Sequence, residues 1–364
     1  MAFVNFTSVH EKLFVILRFN IRISEGDPCN GHILTFAIIS NFLLLCLTLL
    51  GYSIVNISNI ENATNTMSIL FGSISCIEYM YVNFILAICN PSSTFYVDNS
   101  TEERILEVEN RKVVFVTKLF VYLISSTFVV FITIPLGKMA FLFWKFGKVS
   151  YFLPFNGLYP FDWEKPFVFS LTFLWVSSTM LYAAIFIASI DTLFIAVSFN
   201  LCAQFQILNR KTELLKIDGT QDLEKEIGKI ISHHQLILEL IKELNEVFRP
   251  ILFVQFLMSA MQLCTISFQI VVFYNDPQVI LYGCYLTASL LQLLMYCYCG
   301  DRIQSEVLRS FSEAFGTHIY LGYWYTFPPK IARCLYFSLM RSQRPSKLDG
   351  HFFEVNLITF NSVS

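Results

Sequence analysis

The sequence has few charged residues for its length. Of its 364 residues only 14% are Asp, Glu, Lys or Arg, whereas a soluble globular domain carries about a quarter. Fourteen Gly and 11 Pro are too few for long disordered stretches. The formal net charge of −2 gives no basis for binding nucleic acid. With 55% hydrophobic residues and a mean hydropathy of +0.58, the chain needs lipid as a second apolar solvent.

Motifs of catalysis are also missing from the sequence. It has no Gly-rich phosphate loop, no zinc-protease His-Glu pair and no nucleophile elbow, so it predicts no enzyme, no cofactor and no metal site. Most of the ten Cys lie inside apolar stretches, where they behave as small hydrophobic residues, and we expect no disulfide framework. Four charged residues interrupt the apolar stretch 3–23, so we predict no cleavable signal peptide.

Long uncharged stretches dominate what is present. About 20 apolar residues are needed to cross the hydrocarbon core of a bilayer, and six stretches are long enough. A seventh begins at Gly350 and stops at Ser364, which is too short to cross. We therefore predict an all-α fold, a polytopic membrane helical bundle with six complete spans and a partial seventh. The complete spans cover residues 33–55, 69–89, 113–136, 167–200, 250–274 and 279–299.

Basic residues in the flanks of these spans predict a cytosolic N-terminus. In that orientation 20 of the 25 Lys and Arg residues face the cytosol, four face outward and Lys118 lies within a span. The loop between spans one and two is then outside, and we predict glycosylation of its sequons at Asn56 and Asn62. The chain divides into a cytosolic or interfacial arm (1–32), spans one to four (33–200), a cytosolic helical connection (201–249), spans five and six (250–299), a cytosolic helical region (300–349) and the start of a truncated seventh span (350–364).

The cytosolic connection contains a regular apolar seam. Its members alternate at spacings of four and three, as in the a and d positions of a heptad repeat. Such a face needs a second helix, from this chain or from a neighbouring subunit, and the sequence leaves both open. His234 has no further metal ligands at suitable spacing, so we interpret it as a structural histidine. The seam consists of Leu223, Ile227, Ile230, His234, Ile237, Ile241, Leu244 and Phe248.

Several short motifs, in a fixed order, resemble the insect odorant receptor family. The stretch 159–163, YPFDW, is similar to an extracellular loop of that family. The most specific piece is 339–345, LMRSQRP, ahead of the seventh span. The resemblance covers most of the chain and is densest from Asp191 onward. In the family the final helix continues past the position of Phe360, so the resemblance implies that the seventh span is truncated here.

The resemblance implies an odorant receptor that works as one subunit of a heteromeric, ligand-gated cation channel. It implies four subunits, including a shared odorant coreceptor, in the plasma membrane of a sensory neuron. The family binds odorants in the outer half of the helix bundle, lines its pore with the last helix and holds its tetramer together through cytosolic helices. The expected ligands are small volatile molecules, and neither a cofactor nor nucleic acid is implied.

A mostly apolar ligand needs a dry, aromatic cavity with few polar groups, and the predicted orientation selects the helix halves that can supply it. Glu78 is unusual because an acid within a span is costly, although it could also be protonated and bonded to a neighbour. For the aromatic candidates the alternative role is packing or an interfacial belt. Asp191 lies toward the cytosolic side, where we expect a basic partner. The candidate ligand-binding residues are Glu78, Ser125, Thr127, Phe131, Trp175, Ser178, Tyr182 and Tyr285.

Other classes of membrane protein fit the charge distribution and the motifs of this sequence less well. A G-protein-coupled chemoreceptor has its N-terminus outside, which the charge distribution opposes. A gustatory receptor relative would end in a different signature, which is not visible in this sequence. A transporter would usually show an internal repeat or broken spans near the midplane, and no clear repeat is visible.

Overall fold

The part of the chain that the computed structural model describes is helical and contains no β-strand. The described residues are 28–55, 100–147, 149–154, 157–213, 221–272, 274, 279–309, 329, 333, 336, 348–350 and 352–363. Most of the predicted N-terminal arm, all of span two, and with them Glu78, Asn56 and Asn62, lie outside the described residues. The helices are α1 (Pro28–Val55), α2 (Ser100–Phe146), α3 (Pro166–Glu213), α4 (Gln221–Val272), α5 (Val279–Arg309) and α6 (Leu357–Val363).

Helix α2 shows how the sequence sets the ends of a long helix. Glu102 and Glu103 lie in its first turn and Lys145 in its last, so both signs of charge match the helix dipole. Beyond its last residue the chain turns at Gly147, whose φ of 64° suits glycine, and the Gly147 N–H donates to the Phe143 carbonyl at 2.9 Å. The 47 residues of α2 reach about 70 Å, more than twice the hydrocarbon core.

Among the described residues α2, α3 and α4 are long and apolar enough to cross a membrane, judged by length and composition. Each continues far into a region predicted to be cytosolic, since α3 runs to Glu213 and α4 starts at Gln221. The predicted ends of the spans at residues 200 and 250 are therefore not ends of helices. Charged residues end the apolar stretch from which a span is predicted, but the helix continues through them. Pro250 remains inside α4 with the loss of one backbone hydrogen bond.

Helix α3 is the central element in the half of the bundle predicted to face the cytosol. Most of its side chains between residues 190 and 209 are buried, and α3 contacts α2, α4 and α5. A helix that is covered on several sides buries polar residues as well as apolar ones, here Asp191 and Gln204 among them, and a buried polar group needs a partner inside the protein. Its core also takes in the residues just before α6. Representative members are Phe194, Phe205, Phe248, Ile251, Leu293, Ile303, Val307, Leu348 and Val355.

The apolar seam of α4 is buried inside this chain. Its members from Ile227 to Phe248 are at most 8% exposed, and most of them belong to the same core as α3. The side chain of Leu223 lies outside the described residues. Of the two interpretations that the sequence left open, the structure supports packing within the chain. His234 is buried in the seam, and His233 Nε2 lies 3.0 Å from Gln204 Oε1 of α3.

The outward face of α2 carries large apolar side chains that the described chain does not cover. Phe115, Tyr122 and Phe143 are 69%, 70% and 57% exposed. A water-soluble protein rarely presents so continuous an apolar surface. Hydrocarbon would solvate this face well, which agrees with the predicted membrane bundle.

The last helix begins later than the sequence indicates. The seventh span is predicted to start at Gly350, but α6 is Leu357–Val363. Ahead of it, residues 348–350 and 352–356 form what we call the base turn. An antiparallel bridge between Asp349 and Glu354 closes this turn. Within this turn the Asp349 carboxylate forms an ion pair with Arg249 of α4.

Candidate functional site

Two of the predicted site residues meet at the end of the bundle predicted to face outward. The rings of Phe131 in α2 and Tyr285 in α5 pack edge to face, with centroids 5.9 Å apart and an angle of 83° between their planes. Both side chains are partly buried. Because α2 and α5 are far apart in the sequence, only the tertiary fold brings these two rings together.

A third predicted residue, Trp175 of α3, belongs to the same neighbourhood. It packs with Phe131 against a small cluster centred on Leu45, Leu49 and Val176. Its indole Nε1 donates to the Asn41 Oδ1 of α1 at 2.7 Å. The indole N–H therefore has its hydrogen-bond acceptor within the protein, and the apolar face of the ring packs between α1 and α3.

The loop between α2 and α3 covers this neighbourhood. The Leu158 N–H donates to the Thr48 carbonyl of α1 at 3.1 Å, and a Cβ at Gly51 would lie 3.3 Å from the Leu158 side chain. The ring of Tyr159 stands at 79° to the indole of Trp175, with centroids 6.2 Å apart. Burial raises the pKa of the Tyr159 hydroxyl to about 12, so the group stays neutral. We call these rings, Phe131, Tyr159, Trp175 and Tyr285, the outer aromatic cluster.

The remaining predicted residues are placed less favourably. Thr127 Oγ1 donates to the Leu123 carbonyl at 2.9 Å, and Ser178 Oγ donates to the Trp175 carbonyl at 2.8 Å, so both hydroxyls bond their own helices. Ser125 and Ser178 are exposed, and Tyr182 is 46% exposed. The described residues do not enclose Ser125, Ser178 and Tyr182.

Sequence reasoning missed Asn41 and Tyr159 as members of the site. Tyr159 belongs to the aromatic stretch 159–163, which was recognised as a loop motif but not as a cover over the bundle. Asn41 is an amide within an otherwise apolar span, and such a group normally finds a partner when buried. That rule points to a partner for Asn41, but it does not identify Trp175.

Closer to the end of the bundle predicted to face the cytosol, Asp191 of α3 accepts hydrogen bonds from two polar side chains of α5. The Tyr296 hydroxyl of α5 donates to its Oδ1, and the Gln292 Nε2 donates to its Oδ2 at 2.8 Å. Asp191 is only 2% exposed. Gln292 and Tyr296 lie one turn apart on α5 and present two donors to the same carboxylate, and the basic partner remains a prediction.

Buried ion pairs join the helices at the end predicted to face the cytosol. Glu109 of α2, which is 3% exposed, accepts from Arg302 of α5 at 2.6 Å and from Lys112 at 2.7 Å. The Arg302 guanidinium also stacks over the ring of Phe199 of α3, 4.3 Å from its centroid. A buried charge without its partner is strongly destabilising, so this network fixes how α2, α3 and α5 meet.

Known proteins resemble the chain in sequence. The family profile described as 7tm Odorant receptor matches residues 92–364. Odorant receptor 9a of Drosophila melanogaster is 32% identical over 212 residues, which cover 58% of this chain and 53% of that receptor. Odorant receptor 47a of the same species is 28% identical over 236 residues, covering 63% and 60%. Putative odorant receptor 98b, also from Drosophila melanogaster, is 27% identical over 331 residues, covering 86% and 83%. The chain thus spans about half to three fifths of the length of the first two relatives.

Solved structures share the fold. The insect olfactory receptor OR5 from Machilis hrabei in complex with eugenol superimposes with a TM-score of 0.80 at 14% identity, covering 99% of this chain and 95% of that one. A second structure of OR5 gives a TM-score of 0.70, covering 97% and 93%. This likeness confirms the predicted all-α polytopic bundle, and the relatives, which are receptors, confirm that the chain is no enzyme. Because the family profile covers most of its residues, the chain belongs to the 7tm Odorant receptor family, the odorant receptors of insects.

Proposed function

We propose that this odorant receptor binds small, volatile, mostly apolar molecules in the outer half of its bundle. Together with an odorant coreceptor it gates a non-selective cation channel in the plasma membrane of a sensory neuron. The observation that carries the proposal is the edge-to-face contact of Phe131 with Tyr285 beside Trp175. Three helices and a covering loop bring aromatic rings together there, at the end of the bundle predicted to face outward.

The outer aromatic cluster has the chemistry that an apolar ligand needs. Aromatic rings offer large apolar surfaces with little conformational entropy to lose, and a ligand site adds only a few polar groups for orientation. Phe131 and Tyr285 are partly exposed in the described chain, so a ligand can reach their rings. The Tyr285 hydroxyl is one proposed polar group of this site, and Glu78 of the predicted span two, which lies outside the described residues, is proposed as another.

The proposed channel is an assembly of this chain with coreceptor subunits, most simply a tetramer. Family membership supports this, because the motifs shared with insect odorant receptors extend through the cytosolic region. The α4 seam is buried within the chain, so contacts between subunits would use other faces of the cytosolic helices. Insect receptor OR5, which has the same fold, has been solved in complex with eugenol, and this supports binding of a small molecule by this fold.

Alanine substitutions in the outer aromatic cluster test the ligand site. The chain is co-expressed with its coreceptor, and currents are recorded over an odorant panel to find an active ligand. Phe131→Ala and Tyr285→Ala should each raise the half-maximal concentration by about tenfold, equivalent to losing about 1.4 kcal/mol of ligand contact. Phe143→Ala is the matched control on α2, because Phe143 is 57% exposed and lies away from the cluster.

Two outcomes would contradict the proposal. Unchanged potency in both cluster variants, at normal surface expression, would place the ligand elsewhere. Silence of the chain and coreceptor together at the cell surface, across a broad panel, would oppose channel function. As a separate test of the outward loop, endoglycosidase should lower the apparent mass of the wild type but not of the Asn56→Gln, Asn62→Gln double variant.

A further inference from the structure

The base turn and α6 form one structural unit. The Val355 N–H donates to the Leu348 carbonyl at 3.0 Å, and both side chains are 2% exposed. The Asn356 Oδ1 accepts from the Thr359 N–H at 2.9 Å, which satisfies a backbone donor in the first turn of α6. A displacement of the base turn is therefore passed directly to the start of the last helix.

Arg249 of α4 holds this unit through an ion pair with two points of contact. Its Nη2 lies 2.6 Å from Asp349 Oδ2, and its Nε donates to Asp349 Oδ1. Asn245, about one turn earlier on α4, accepts from the Asp349 N–H at 2.9 Å. Two parallel N–H···O contacts fix orientation as well as distance. The side chains of Arg249 and Asp349 are 40% and 32% exposed, so water only partly surrounds the pair.

The base turn is also packed against α5 and against apolar residues of α4. A Cβ at Gly300 of α5 would lie 2.0 Å from the Val355 carbonyl oxygen, so backbone and helix are in direct contact there. On the side of α4, the rings of Phe353 and Phe256 pack with centroids 4.6 Å apart. The ion pair is the part of this arrangement whose two partners can be exchanged without changing the apolar packing.

We propose that Arg249 and Asp349 are positioning residues for gating, whose ion pair sets how α6 sits against α4 and thereby the balance of closed and open channels. The inference rests on the proposed function, in which the last helix lines the pore. Toward its outer end α4 is bonded to α5, since the Gln262 Nε2 donates to the Ser289 Oγ at 2.9 Å. A ligand that shifts α4 and α5 therefore also shifts the point at which α6 is held.

Charge exchange tests the proposal. Arg249→Asp, Asp349→Arg and the double variant are each co-expressed with the coreceptor. Half-maximal odorant concentration, current without odorant and melting temperature in detergent are then measured. Each single variant should change the half-maximal concentration about threefold or more, and the double variant should return it to within about twofold of wild type. The matched control exchanges Glu226 and Lys229, an exposed pair 2.7 Å apart on the same helix, and should leave gating unchanged.

The outcomes separate this inference from the proposed function. Single variants that gate like wild type would overturn the inference. So would a double variant that regains its melting temperature but not its odorant response, because the pair would then serve stability alone. A silent wild type would instead contradict the proposed function. In that case melting temperatures that are equal in single, double and wild-type proteins would show that the pair does not hold the base turn.

Discussion

Replacing Gly300 by alanine would put a methyl group where the base turn already lies. The added Cβ would be 2.0 Å from the Val355 carbonyl oxygen, although real Cβ atoms essentially never approach closer than 3.0 Å. The obstacle is backbone and cannot rotate away, so the base turn must move by about 1 Å. Overpacking of this kind typically costs about 1–3 kcal/mol, whereas alanine gains up to about 1 kcal/mol over glycine in a helix. We expect net destabilisation by about 1–2 kcal/mol.

Gly283 provides the control on the same helix. A Cβ at Gly283 meets nothing within 4 Å, so Gly283→Ala should keep the gain in helix propensity and melt at or slightly above the wild-type temperature. Gly300→Ala should melt lower by a few degrees, since about 1 kcal/mol corresponds to roughly 2–4 °C in a domain of moderate size. Thermal unfolding of the purified proteins in detergent at one heating rate measures both. If Gly300→Ala melted as high as Gly283→Ala, the base turn would not be packed against α5.

Two further sets of substitutions examine the buried polar contacts. Tyr296→Phe removes a donor to the buried Asp191 and should cost about 1–3 kcal/mol in thermal unfolding. Tyr298→Phe on the same helix, at a side chain 41% exposed, should cost little. Equal melting of the two variants would refute this role for Tyr296. Trp175→Phe and Asn41→Ala each remove the hydrogen bond between the Trp175 indole and the Asn41 side chain, which is 2.7 Å long. Their effects on the free energy of unfolding should therefore be non-additive by about 1 kcal/mol. Simple additivity would show that this hydrogen bond contributes nothing.

Periodicity and charge anticipated the features that depend on local sequence. The α4 seam was visible because apolar residues at spacings of three and four must face another surface, and the structure buries every described member. The apolar stretches predicted as spans three, four and five overlap α2, α3 and α4, which are long and apolar enough to cross a membrane by length and composition. What the seam packs against was undecided, because a heptad pattern reports burial and not the identity of the partner.

Contacts between distant residues could not be read from the sequence. The Asp191 carboxylate accepts from Gln292 and Tyr296 of α5, two donors that the sequence did not point to, since neutral donors as well as basic groups can stabilise a buried acid. Nothing in the sequence around Arg249 or Asp349 indicates that they are partners. They pair only because the fold places the base turn beside α4. Phe131 and Tyr285 were each chosen as candidates because they lie in helix halves predicted to face outward, but their contact with each other needed the fold.

The central claim is one orientation in the membrane, with the outer aromatic cluster facing outward and the ion-paired helix ends in the cytosol. Short epitope tags, one between Glu213 and Gln221 and one between Val272 and Val279, test it in cells that co-express the coreceptor. An antibody should label the second tag in intact cells and the first only after the membrane is permeabilised. Labelling of the tag between Glu213 and Gln221 in intact cells would contradict the account.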